Sequence, residues 1–508
     1  MRPARLEREA KSSRHAFLKE IVSIAFRNLS RHRVKTVITT IGVAVSVALY
    51  IFMDAWLLGM NLDSRRNIVS YEIGAAKIQS QAYFEKKEDL PMYESFSNWK
   101  PIARALESAG YAAAPRMTFT GTLYSRSGSA PIVFHGVDPE RERRVLRYMN
   151  YLEAGRFPKE GTYEIALGLL AAEKLKLDIP RKLTEEELTR LVEETARTPE
   201  EEAFIRGLYA RQEPVFFLRQ DVPRTELDRF WDLLVASGRN DARISTVIDI
   251  KEESGKIRHV YQVMEAKVVG IVNSPNPKTN GNVAFMPLDV LSGEEGLLLE
   301  DQVTEILVRA AGAKDSDLPG PKESPEAIEE ALRRVGFSLP SSLRVYGWEE
   351  YVKDYIVAAR GDNVTTRVMI LLLFILSFLG IANTMLMAIL ERTKEIGMMR
   401  ALGMTDGELV LSFMIEAGMI GLMGGIVGMI LGSLANIPMV NHGIDYSAMA
   451  KQLSGDFGYR ITALFRSAWN PGTIIGSGIV ATLISALLSV PPTLRALKMP
   501  VTESLRFE

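Results

Sequence analysis

Residues 368–404 read VMILLLFILSFLGIANTMLMAIL followed by ERTKEIGMMRALGM, an uncharged apolar run that stops abruptly at Glu391 and gives way to a polar, patterned segment. A helix crosses a hydrocarbon core of about 30 Å with about 20 apolar residues. Val368–Leu390 meets that length without a single charge, whereas a helix on the surface of a soluble protein keeps a polar face. Three further runs have the same character: Val37–Leu58, apolar except for Asp54; a run within Leu409–Ile437 carrying Glu416; and Pro471–Val490, uncharged. The chain is therefore predicted to be an α-helical membrane protein with four transmembrane helices (37–60, 368–390, 409–437 and 471–490). A large α/β extracytoplasmic domain, 61–367, is inserted between helices 1 and 2. The first run is too long for a cleaved signal peptide, its basic leader is also too long, and no small-x-small site follows it.

Basic flanks orient the helices. Residues 1–35 hold ten Lys/Arg against three acids, and the 391–408 loop carries Arg392, Lys394 and Arg400. The closing 491–508 tail carries Arg495, Lys498 and Arg506, while the longer 438–470 loop has only Lys451, Arg460 and Arg466. The positive-inside bias puts both termini and the 391–408 loop in the cytoplasm. Arg65 and Arg66 point the other way, but they precede a long domain, where the bias has little force.

Composition excludes several chemistries. The 508 residues carry a net charge of −1, which gives no footprint for nucleic acid. The absence of cysteine excludes disulfides, thiolate metal sites and cysteine nucleophiles. The five histidines show no metal-ligand spacing, and no catalytic residue or metal site is predicted. A phosphate-cradling loop is also missing: Gly255-Lys256 has Ile250 where the first glycine of such a loop would stand. The chain is thus read as no enzyme, with no cofactor of its own; if ATP drives it, another chain binds the ATP and magnesium.

In the inserted domain, strands are predicted at Ile73–Gln79, Met117–Ser125 and Ile132–Val137, with a helix at Trp99–Ser108. The alternation returns near the end: strand Glu305–Arg309, helix Pro325–Val335, strand Leu343–Tyr346. An outer unit, 61–137 plus 301–360, would thus be built from both ends of the domain, with a second unit, 138–300, inserted into it. Within that unit 183–242 is an acidic helical insertion. Thr184–Glu187 and Thr198–Glu201 read as capping boxes, and Leu227, Phe230, Trp231 and Leu234 form one stripe of a helix over Thr225–Ser237. Strands Ile244–Ile250 and Val260–Val272 follow.

The polar segment 391–404 is the most specific feature. As a short helix it offers Ile396, Met399 and Leu402 to a partner groove, ringed by Lys394, Glu395 and Arg400; a plain interfacial helix has a similar pattern. In register with its flanking helices, Glu391–Met404 resembles the cytoplasmic coupling segment of FtsX-like, MacB-type ABC transporter permeases. The run Glu416-Ala-Gly-Met-Ile-Gly…Gly432 is similar to that family's acidic residue followed by a glycine ladder. Gly421/Gly425, Gly424/Gly428 and Gly428/Gly432 form three overlapping GxxxG pairs that let helix backbones approach. The tail from Pro492 to Arg506 and the leading amphipathic segment, 1–36 with Ala25–Arg33, resemble the family as well. Gly136-Val-Asp-Pro-Glu140 and Gly155 lean towards its lipoprotein-releasing LolC/LolE branch. The Asp178-Ile-Pro stretch and the acidic insertion depart from it.

The resemblance implies ATPase coupling through Glu391, Arg392, Lys394, Glu395, Ile396, Gly397, Met399, Arg400, Leu402 and Gly403. It further implies separate ABC ATPase subunits, a second permease chain (the same or a paralogue) and a bacterial inner-membrane location with the large domain periplasmic. Membrane lipid, a lipoprotein substrate and a periplasmic lipoprotein carrier are the implied partners for release. MacB-like efflux of small molecules or peptides, and FtsX-like signalling to a cell-wall hydrolase, are the alternatives. Two acids within apolar runs draw notice because charge there is costly. Glu416 is expected to snorkel or pair with a base such as Arg400, or to act in coupling. Asp54, one turn from Tyr50, is expected either to be an exposed interfacial acid or to line a cavity.

Overall fold

The computed structural model describes residues 33–251, 256–291, 301–314, 317–353, 391–445 and 464–498, with isolated helical positions between 356 and 389. Most of the predicted 368–390 span, the leading segment before Arg33 and the last ten residues lie outside the described residues. The chain divides into two compact units, one of Met1–Leu62, Tyr355–Ile444 and Phe465–Glu508, the other of Asp63–Asp354 and Asp445–Leu464. Among the described residues, three helices are long and apolar enough to cross a membrane: Thr36–Ile73, Asp406–Asn441 and Pro471–Leu497.

Helix α1 (Arg33–Ile68) carries the first of these stretches. Its Val37, Ile41, Val45 and Leu49 are exposed, while Val43, Val47 and Ile51 are buried. A large apolar stripe turned outward is what a lipid-facing helix requires and what a soluble protein avoids.

The second unit opens with β1 (Ala76–Ser80), α2 (Trp99–Ser108), β2 (Tyr111–Ser125) and β3 (Gly128–Val137). α3 (Pro139–Val145), β4 (Leu152–Gly155) and β5 (Glu164–Gly168) follow. Then come β6 (Lys182–Thr184), α4 (Glu185–Thr195), α5 (Pro199–Gly207), β7 (Tyr209–Gln212), β8 (Val215–Leu218) and α6 (Arg224–Ala236). The long strands β9 (Asp241–Lys251) and β10 (Ile257–Val272) pair antiparallel. β11 (Val283–Pro287), β12 (Glu305–Ala310), α7 (Pro325–Arg334) and β13 (Leu343–Gly347) complete it.

Ten strands join one sheet in the order β13-β1-β12-β2-β3-β11-β5-β10-β4, with β9 bonded to both β10 and β2. Most neighbours are antiparallel; β3–β11 and β5–β10 are parallel. Both faces are covered, and strand alternation assigns residues to them. Ala113, Met117, Phe119, Ile306 and Val308 pack in one core, Ala112, Ala114, Leu307 and Phe285 in the other. Strands between residues 138 and 300 hydrogen-bond directly into this sheet, alongside those from both ends of the domain.

The helix over Trp99–Ser108 is observed with the predicted bounds. β1 begins three residues later than predicted, because Val69–Ile73 forms a tight π-helical turn closed by Gly74 at φ +80°. In the acidic stretch Thr184 and Glu187 cap each other as expected. The second box closes differently: Thr198 accepts from the Glu201 amide, but Glu201 reaches the Arg197 amide at 2.7 Å. The small sheet β6-β8-β7 was not foreseen. α6 buries Phe230, Trp231 and Leu234, and the Trp231 indole donates to the Val269 carbonyl at 2.9 Å. That fit requires glycine at 155, where φ is +71° and a Cβ would lie 2.2 Å from the indole nitrogen.

After the second expected span, α8 (Thr393–Ala401), α9 (Asp406–Asn441), α10 (Pro471–Leu488) and α11 (Val490–Leu497) complete the first unit. α9 starts at a Thr405–Glu408 capping box and is longer at both ends than the predicted 409–437. Asn470 caps α10 through the Thr473 amide, with Pro471 at its first position.

Candidate functional site

Helix α8 is the predicted coupling segment, and its packing fixes which face is available. Ile396 is 2% exposed and packs with Ile389, Leu409, Phe413, Ala496 and Leu497; Met399 lies against the same cluster. Gly397 is buried as well. These residues therefore face their own chain, which corrects the expectation that Ile396 and Met399 are offered to a partner. The exposed residues are Glu391, Lys394, Met398, Ala401 and Leu402, with Leu402 at 89%. Their spacing of three, four, three and one places them on a single outward stripe. Arg400 bonds across the back of the helix, donating to the Leu497 carbonyl at 3.3 Å and pairing with Asp406 at 3.2 Å. Glu395 is half-buried. Gly403 ends the segment at φ +100°, outside the helix, and its amide donates to the Arg400 carbonyl. The position therefore demands glycine for its backbone angle.

Glu416 does not pair with Arg400. Its two carboxylate oxygens accept from Nη1 of Arg392 at 3.1 and 3.0 Å, with both side chains under one-tenth exposed. Arg392 lies at the foot of α8 and Glu416 in α9, so this ion pair ties the segment to the helix that follows. The partner is thus a base of the same polar segment, Arg392 in place of Arg400. Arg392 meets α9 at Glu416, whereas Arg400 meets it at its first residue, Asp406.

The glycine ladder serves two neighbours. A Cβ on Gly421 would lie 2.6 Å from Ser485 Oγ, and one on Gly425 3.2 Å from the Gly478 backbone, so this pair receives α10. Gly424, Gly428 and Gly432 instead meet Val43, Val47 and Ile51 of α1 at 2.6–3.0 Å. Past its first turns, α9 exposes Leu422, Ile426, Ile430 and Leu434, whereas Leu409, Phe413 and Ile420 nearer its start are buried. Small residues inward and large apolar residues outward is the packing of helices in lipid.

Tyr50 packs against the α1–α9–α10 core formed by Val43, Val47, Ile51, Ala417, Ile420 and Ala481. Asp54 is neither fully exposed nor free: Asn470 Nδ2 donates to it at 2.8 Å. Beside it the Ala468 amide donates to the Ala55 carbonyl and the Ser467 amide to the Met439 carbonyl. The segment before α10 is thus stitched to the middle of α1 and the end of α9, and Asp54 is part of that stitching.

The second unit holds a polar centre that sequence reading missed. Buried Arg116 pairs with Glu142, which also accepts from the Tyr148 hydroxyl at 3.2 Å. Glu305 takes Lys77 at 2.7 Å and Gln79 at 2.9 Å. No local spacing signals this cluster, because its members are brought together by sheet pairing. Burial, with the Arg116 and Lys77 charges, holds the His135 imidazole well below its ordinary value, and burial pushes the Glu142 carboxyl up. His135 consequently favours folding in its neutral form. The unfolded chain takes up the proton first as pH falls through about 6.5, so stability declines from there downwards. Thermal melts of native chain and His135→Gln between pH 8 and 5 are expected to diverge below that point, the variant falling less steeply.

Three helices long and apolar enough to cross a membrane, packed through glycines, and a short polar helix preceding the second of them in the chain make up the described part of this unit. Residues 367–501 match the FtsX-like permease C-terminal family. The similarity to that family is carried by this C-terminal stretch of the chain. The chain is 26% identical over 256 residues to an uncharacterized ABC transporter permease of Methanocaldococcus jannaschii, covering 50% of this chain and 58% of the relative. It is 27% identical over 253 residues to the macrolide export ATP-binding/permease protein MacB of Agrobacterium fabrum, covering 48% and 34%. Against the ABC transporter permease YtrF of Bacillus subtilis the figures are 31% over 140 residues, 26% and 30%. The matches thus span little more than half of the first of these relatives and about a third of the others.

Proposed function

We propose that this chain is the membrane subunit of an ABC transporter driven by separate ATPase subunits. Four helices cross the bacterial inner membrane, with both termini cytoplasmic and the large domain periplasmic. Two such permease chains, identical or paralogous, act together. The observation that carries this reading is the outward stripe Glu391, Lys394, Met398, Ala401 and Leu402 on a helix otherwise pinned to its own chain. Movement imposed on that stripe passes to α9 through the Arg392–Glu416 pair.

For cargo, we favour lipoproteins, extracted from the membrane and passed to a periplasmic carrier. The apolar outer wall of α1 suits acyl chains, and the resemblance at Gly136–Glu140 points the same way. The MacB relatives support a second reading, efflux of small molecules or peptides. Vesicles holding the chain, its ATPase and a labelled lipoprotein separate the two. A photo-crosslinker at Tyr50 is expected to capture lipoprotein without nucleotide and to lose it after ATP is added. Capture of small amphipathic molecules alone, with lipoprotein unmoved despite ATP turnover, selects efflux.

A further inference from the structure

The second unit contains a cleft of about 360 Å³ over the polar centre, lined by residues of β1, β2, β3 and β12 and by the 71–73, 87–90 and 278–283 stretches. That volume falls at the lower end of small-molecule sites. The hydrogen-bonding capacity of its walls is unbalanced. Two of its carboxylates are already engaged, Glu305 by Lys77 and Gln79 and Glu72 by Lys278 at 2.7 Å. Glu88 is exposed at the rim, where water and salt screen it.

The donors, by contrast, have capacity to spare. Arg116 is 3% exposed; its terminal nitrogens go to Glu142 and, at 3.4 Å, to the Glu72 carbonyl, with Glu305 Oε1 3.8 Å from Nη1. Among the described residues its Nε has no acceptor. A buried guanidinium N–H left unpaired is costly, and a carboxylate is the group that suits it best. Lys87 donates to the Glu350 carbonyl at 3.1 Å rather than to a carboxylate, and lies 4.5 and 5.3 Å from the centroids of the Phe84 and Tyr351 rings. Around these donors stand Tyr71, Phe285 and Tyr351, whose faces and edges accept an apolar body.

We propose that this cleft binds a small carboxylate-bearing ligand with an apolar or aromatic body, its carboxylate received by Arg116 and Lys87. Such a site is built wholly from residues of the second unit and makes that unit a receptor for a small acid, whichever cargo the chain moves.

The test uses the full chain in nanodiscs and 4-fluorophenylacetate as probe, followed by fluorine NMR of the ligand, with neutral 4-fluorophenylacetamide as the control. The acid is expected to bind and the amide to bind at least about tenfold more weakly, the scale of one charge-assisted contact. Lys87→Ala is expected to weaken the acid by a similar factor, and Val133→Trp, which fills the cleft from β3, to abolish binding. Both variants should keep the native thermal midpoint. Equal binding of acid and amide, binding unchanged in both variants, or no binding of the acid to the native chain overturns the proposal.

Discussion

Glu416→Leu is expected to lower the thermal midpoint of the purified chain sharply, because it strands the Arg392 guanidinium in a buried, apolar setting. Both partners are under one-tenth exposed and joined by two contacts of 3.0–3.1 Å. Removing one member of a buried pair costs about 3–5 kcal/mol, most of it the desolvated charge left behind. Replacing both members by apolar residues of similar volume is commonly near neutral. Arg392→Met with Glu416→Leu should therefore recover most of the lost stability. If movement of α8 reaches α9 through this pair, the double variant should fold and let a separate ATPase turn over ATP without moving cargo. A melt of Glu416→Leu identical to that of the native chain shows that the pair has no structural weight.

Gly428→Leu should damage the membrane unit nearly as much, by a different route. Its Cβ would sit 2.7 Å from both the Ala44 carbonyl oxygen and Val47 Cβ, against ordinary contact of 3.4–4 Å. Backbone cannot yield as a flexible side chain does, so α1 must move away from α9. Overpacking of this kind costs about 1–3 kcal/mol in cores, and a leucine here adds further bulk. Gly476→Leu is the matched control, since a Cβ there meets nothing within 4 Å. Thermal melts in detergent should show a large loss for the first and little change for the second. Equal behaviour of the two contradicts the packing described.

Much of this was legible in the sequence, for identifiable reasons. Apolar runs and capping signals act locally, so Trp99–Ser108 and the Thr184 box could be read residue by residue. The glycine ladder was legible as packing, but not the division of its faces between α1 and α10, which depends on the neighbours' positions. β6, β7 and β8 escaped notice because strands of three or four residues among strong helix formers leave no period to count. The polar centre around Arg116 was invisible for a deeper reason: Arg116, Glu142 and Glu305 are spread over 190 residues and meet only when β2 pairs with β12. In the polar segment 391–404, Leu402 faces outward as expected, while Ile396 and Met399 face inward. Ile396 and Met399 are its most apolar members, and apolar residues on a short helix can serve a partner or the chain's own core. Only the position of α9 and α11 decides between them.

The central claim, that 391–404 is where a separate ATPase grips this permease, can be tested on the exposed stripe itself. The chain has no cysteine, so Leu402→Cys and Met398→Cys introduce unique thiols on the outward face, and Ile396→Cys one on the inward face. In native membranes, a short thiol-to-amine crosslinker is expected to join positions 402 and 398 to an ATP-hydrolysing protein, in a yield that changes when ATP is added, and to leave position 396 unjoined. Crosslinks from 396 but not from 402 or 398, or labelling of 402 by a membrane-impermeant thiol reagent applied outside intact cells, contradict the account.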